Sequence, residues 1–65
     1  MAAIKVSQEV FDGITAVRDS GQINMFDRNG VARLCSDWDY HEAVLWIHEH
    51  QKEYSEGIFN GFEVE

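Results

Sequence analysis

No proline interrupts this chain, and its five glycines stand singly. Nothing along it forbids helix, so helix ends must be read from capping residues rather than from breakers. Ile4-Lys5-Val6 reads as a short extended lead. Ser7 is placed to cap a helix, with Glu9 near the positive end of its dipole. Val10, Ile14 and Val17 then recur at i, i+4 and i+7, and Phe11 widens the stripe. Gly21 suits the left-handed position that closes such a helix. Gly13 within it weakens the helix by roughly 1 kcal/mol relative to alanine, and it permits a close approach by another helix.

A second helix begins between Asn24 and Asp27, both good caps, and carries Val31, Leu34 and Cys35 on its apolar face. Ser36-Asp37-Trp38 reads as a tight turn. Asp39 followed by Glu42 has the spacing of a capping box and marks the next helix start. Ala43, Val44 and Ile47 continue as one stripe, and Tyr54 and Ile58 extend it. A single helix from Tyr40 to Asn60 would leave little of the chain to cover it, so two helices with a bend near His50 are expected. Gly61 is the last cap, and Phe62-Glu63-Val64-Glu65 is expected to fray. The fold class expected is all-α: one domain over residues 1–65, ordered over about 4–61, forming a compact bundle of three to four short helices with an extended lead.

A chain of 65 residues buries only about 60% of its unfolded surface and is marginal by itself. Cys35 is the only cysteine, so no intrachain disulfide can staple it. A partner subunit is the remaining common support, and a homo-oligomer is expected. Residues 1–6 lack the apolar core of a secretory leader, and no apolar run nears the length of a membrane span. A cytoplasmic protein with no membrane partner is expected.

The charge is one-sided. Residues 37–65 hold eight acids against Lys52, while residues 1–36 hold four acids and four bases, so the net charge of −7 arises in the second half. Such a field repels nucleic acid and attracts basic surfaces. A helix-turn-helix cadence exists across residues 36–39. However, the helix from Tyr40 to His50 carries Glu42 and Glu49 and neither Lys nor Arg, so phosphates would repel it. No nucleic-acid partner is expected.

The string from Ile14 to Val31 contains Ala16-Val17-Arg18-Asp19-Ser20-Gly21, then Asn24-Met25-Phe26-Asp27. With Tyr40, Val44-x-x-Ile47-x-x-His50, Tyr54 and Ile58-x-x-Gly61, it resembles a family of small bacteriophage and prophage proteins over about residues 4–61. The resemblance implies a compact helical fold and a phage origin, and it implies no activity. The string has a structural logic of its own. Gly21 ends a helix, Asn24 and Asp27 bond nearby amides, Arg18 pairs with Asp19 or Asp27, and Met25 and Phe26 plug the core. The competing functional reading makes Arg18, Asp19, Asn24 and Asp27 a polar binding nook.

Catalytic and metal chemistry find little support. On one helix His48 and His50 lie about 200° apart, and His41 and His48 lie about 10 Å apart along one face. Neither pair converges as zinc ligands must, so no metal and no cofactor are expected. Cys35 falls on the core stripe without a paired base. No enzyme is expected.

The sharpest signal is Ala43-Val44-Leu45-Trp46-Ile47, five consecutive apolar residues that span more than one helical turn. They cannot all face one small core, so Leu45 and Trp46 are expected at a protein interface rimmed by Glu42, Glu49 and Glu53. The expected function is non-catalytic: a small acidic phage protein that binds a basic surface of a host protein and modulates or inhibits it. A small-molecule or nucleotide-binding oligomer and a self-assembling phage accessory protein are the alternatives.

Overall fold

A computed structural model of the chain describes residues 3–65. Strand β1 (Ile4–Val6) leads into α1 (Gln8–Ser20), α2 (Arg28–Asp37), α3 (His41–Glu49) and α4 (Gln51–Asn60), and β2 (Phe62–Val64) closes the chain. The molecule is mostly helical, a bundle of four short helices with a short strand at each end.

Helix α1 starts and stops where its caps dictate. Ser7 Oγ accepts the Val10 N–H at 3.4 Å, and Gly21 adopts φ 66°, its N–H reaching the Arg18 carbonyl. Helix α2 is capped by Asp27, whose side chain accepts the Gly30 N–H at 3.2 Å. The bend expected near His50 is there: its N–H closes α3 on the Trp46 carbonyl, and its own carbonyl opens α4 by accepting the Tyr54 N–H.

Where α2 meets α3 the structure corrects the sequence. The helix continues through Asp37, so the turn lies at Trp38 and Asp39 rather than at Ser36–Trp38. Asp39 is not a helix cap. It sits at φ 66°, its N–H on the Ser36 carbonyl, while the Tyr40 N–H reaches back to the Cys35 carbonyl at 2.8 Å. That pair of bonds is a Schellman closure of α2, with Asp39 in the place glycine usually takes. Tyr40 then precedes α3 without any side-chain cap bond. A helix does start here, with Glu42 in its first turn, but its N-cap is Tyr40, and Asp39 closes α2 instead.

The tail is corrected too. Phe62–Val64 is strand β2, which pairs in parallel with β1 in the register Ile4↔Phe62, Lys5↔Glu63, Val6↔Val64. The Ile4 N–H bonds the Gly61 carbonyl and the Glu65 N–H bonds the Val6 carbonyl, each at 3.0 Å. All four helices lie between the two strands in sequence, so the two ends of the described chain meet.

The core draws on β1 and every helix: Val6, Val10, Ile14 and Val17; Val31, Ala32 and Cys35; Ala43 and Ile47; and Tyr54. Helix α1 approaches α3 closely at Gly13, where an added Cβ would lie 2.7 Å from that of Ala43. Tyr54 is buried and donates its hydroxyl hydrogen to the Met25 carbonyl at 2.6 Å, tying α4 to the α1–α2 loop. Met25 packs against the core as expected. Phe26 does not. It is 59% exposed and lies against Phe59 with ring centroids 5.5 Å apart.

Candidate protein-binding groove

Helix α3 divides its apolar run around its circumference. Ala43 and Ile47 face the core with no exposed surface, Val44 is half-buried, and Leu45 is 61% exposed. Trp46 is held half-buried by two rings. His50 stacks on it at 5.1 Å, and Phe62 meets it edge-on at 5.9 Å. The indole is thus pinned from the α3–α4 bend and from β2, leaving one part free to contact a partner.

Glu42, Leu45, Trp46 and Glu49 fall at i, i+3, i+4 and i+7, one stripe along α3. Together they form one bank of a cleft of about 270 Å³. The opposite bank comes from the N-terminal segment: Lys5 and Val6 of β1, Ser7 at the start of α1, and Val10 within it. Glu65, just past β2, lines it as well. The lining mixes the apolar Val6, Val10, Leu45 and Trp46 with Lys5, Ser7 and three carboxylates. Glu42, Glu49 and Glu65 are all exposed. Among the described residues none of them, nor Lys5, takes part in an ion pair within 4.0 Å. Charges left unpaired beside exposed apolar side chains are free to meet a partner's charges.

Four of the five residues read from sequence as an interface, Leu45, Trp46, Glu42 and Glu49, are thus brought together. Glu53 is not among them; it lies exposed on α4. The far bank was invisible in the sequence, because it depends on parallel pairing between strands at opposite ends of the chain. The exposed Phe26–Phe59 pair was missed as well.

The residues of the suggested polar nook are occupied locally. Arg18 Nε meets Asp19 Oδ1 at 3.5 Å, with both side chains largely exposed. Asn24 Oδ1 accepts the Phe26 N–H at 2.9 Å, and Asp27 caps α2. The ion pair of Arg18 is with Asp19, not with Asp27 across the turn.

The remaining reactive groups are placed as follows. His41 lies 3.6 Å from Asp39, both exposed, and His50 is engaged with Trp46. Among the described residues no three His, Cys, Asp or Glu side chains converge as metal ligands. Cys35 is fully buried, and burial pushes its thiol up to about 11, which leaves it protonated and unreactive near neutrality. Among the described residues no helix is long and apolar enough to cross a membrane.

Two comparisons with known proteins are negative: no curated protein and no solved structure matches the chain. A third is positive: the family model described as "Domain of unknown function (DUF5049)" matches residues 6–62.

Proposed function

The chain belongs to this domain family of unknown function, and from its surface we propose that it is a non-catalytic binding module for a basic protein segment. The partner seats an apolar side chain against Leu45 and Trp46 and sets Lys or Arg beside Glu42, Glu49 and Glu65. The carrying observation is Leu45, 61% exposed next to a pinned tryptophan in a cleft lined by carboxylates that take part in no ion pair among the described residues. Buried aromatic and aliphatic anchors supply most of the affinity of such interfaces, and the charged rim speeds and orients the encounter. A standard interface takes about 800 Å² from each partner, roughly a fifth of the 4128 Å² this chain exposes. The groove is then the centre of a larger contact.

The resemblance to phage and prophage proteins supports a bacterial host protein as the partner, and inhibition or modulation of it as the outcome. The acidic second half suits a surface that otherwise receives nucleic acid, because both present closely spaced negative charge.

A second reading rests on the same Leu45: two copies pair through this patch. The two readings carry opposite salt signatures. An isologous dimer sets Glu42 and Glu49 near their own symmetry mates, so screening the repulsion strengthens it. A basic partner is held by attraction, so screening weakens it. The test is affinity capture from a bacterial lysate at about 50 mM and about 500 mM salt, with wild type and Leu45→Glu, alongside sedimentation of the free protein. The proposal expects a protein retained by wild type at low salt, released at high salt, and lost in Leu45→Glu. Retention unaffected by Leu45→Glu overturns it. Self-association that grows with salt and vanishes in Leu45→Glu establishes the second reading.

A further inference from the structure

A second cleft lies between α1 and α4, beyond the ring of Phe62. Its volume is about 240 Å³, and its lining has a different character from that of the acidic groove. Its walls are Phe11, Met25, Ile58 and Phe62, and Arg18 is the one charged residue lining it. In a chain of net charge −7, this apolar cleft is lined by a guanidinium and by no carboxylate, the nearest being Asp19 outside the lining, 3.5 Å from Arg18. Arg18 and Met25 both come from the string at residues 14–31, which the acidic groove leaves unused.

The polarity of the cleft is ordered along α1. Phe11, Thr15 and Arg18 fall at i, i+4 and i+7, so one helix face passes from an aromatic ring to a hydroxyl to a cation. Facing it are Gly57 and Ile58 of α4 and Gly61 just past its end, and two of these three lack a side chain. Phe62 packs against Gly57 so tightly that any Cβ there would strike its ring. The aromatic wall is therefore fixed by the absence of a side chain.

We propose that this cleft binds a small anionic amphiphile, a single carboxylate on an aliphatic or aryl body, with the body against Phe11, Ile58 and Phe62 and the carboxylate on Arg18. A free ammonium is disfavoured by Arg18, and a neutral alkyl chain leaves the guanidinium unused. Liquid water occupies about 30 Å³ per molecule, so the cleft has room for roughly eight waters, or a body of about eight to ten non-hydrogen atoms. Two features compete for Arg18 and neither is strong. Asp19 meets it at 3.5 Å in the open, where such pairs contribute little. The negative end of α1 amounts to about half a charge, and its last carbonyls are already engaged by Ser20 Oγ and the Gly21 N–H.

The experiment titrates ¹⁵N-labelled protein with octanoate, octan-1-ol and octylammonium, following amide shifts and fitting each affinity. Arg18→Gln is carried in parallel, with its urea midpoint checked, since an exposed side chain at this position can change without loss of fold. The proposal expects saturable octanoate binding with shifts centred on Thr15, Arg18, Ile58 and Phe62. It expects at least fivefold weaker binding of the alcohol, none of the ammonium, and at least a fivefold loss for octanoate in Arg18→Gln. Absence of saturable octanoate binding overturns it. So do equal affinities for the three probes, an unchanged Arg18→Gln, or shifts centred on Leu45 and Trp46, which would assign the ligand to the other groove.

Discussion

Asp39 holds a backbone angle of φ 66° that most residues avoid, at a cost of roughly 1–2 kcal/mol relaxed only for Gly, Asn and Asp. Its neighbours enforce it, because the Cys35 and Ser36 carbonyls must be closed before the chain turns into α3. Asp39→Gly is expected to raise stability by about 0.5–1 kcal/mol, and Asp39→Val to lower it by more than that; urea unfolding of the two variants checks both. The buried titrating groups make a second residue-scale prediction. Burial raises the Cys35 thiol from 9.0 to about 11. Burial, with the neighbouring Cys35 and Asp27, raises the Tyr54 hydroxyl from 10.0 to about 12 against the lowering effect of Arg28. In the folded state both protons are held more tightly than in the unfolded chain. Stability is therefore full below about pH 9, declines as the unfolded chain begins to lose those protons, and is lost progressively through pH 11 to 12. Thermal melts from pH 8 to 12 should fall along that window, and Cys35→Ala/Tyr54→Phe should flatten the fall even if it starts from a lower stability. A wild-type melting temperature constant through pH 11 contradicts the placement of these groups.

The helices of this chain are written locally, and their ends were legible where a side-chain acceptor or a left-handed glycine supplies the cap. Ser7, Gly21 and Asp27 each act within a few residues, as did the bend at His50, which relieves a stretch too long for so small a core. The α2–α3 junction was misread because Asp serves both a helix start and a left-handed helix end, and only the backbone distinguishes them. The strand pair was illegible for another reason: three-residue strands carry too few alternations to signal a sheet, and their partner is at the other end of the chain. Phe26 was misplaced because an apolar residue in a loop says nothing of which side it faces. The same gap hid half of the candidate groove. At the element scale the sharpest prediction concerns Gly13. Alanine there would gain about 1 kcal/mol of helix propensity, but its Cβ would stand 2.7 Å from Ala43 Cβ. Forcing α1 from α3 costs roughly 1–3 kcal/mol, so Gly13→Ala should destabilise, and Ala43→Gly should recover part of the loss when combined with it. Additive losses in the double variant, measured by urea unfolding, would sink this account of the α1–α3 contact.

At the scale of the whole molecule, a neutral half and an acidic half are wound into one bundle, and its two clefts are lined by different charged groups. The groove of Leu45 and Trp46 is lined by three carboxylates and Lys5, none in an ion pair among the described residues, whereas the cleft beyond Phe62 is lined by one guanidinium. Charge alone cannot make a site, because solvated acids on helix faces are ordinary. The central claim is narrower: the acids that matter are those beside the exposed Leu45. Reversing Glu42 and Glu49 to Lys changes the rim of the groove, while Glu53→Lys/Glu56→Lys makes the same change in net charge on exposed positions of α4 outside it. The deciding measurement is the amount of the same host protein retained by these two double variants and by wild type, at one low salt concentration and with helix content confirmed by circular dichroism. The account predicts at least a tenfold loss for Glu42→Lys/Glu49→Lys and near wild-type retention for Glu53→Lys/Glu56→Lys. Equal losses in both variants would show that only net charge matters, and undiminished retention in the first would leave the groove without a role.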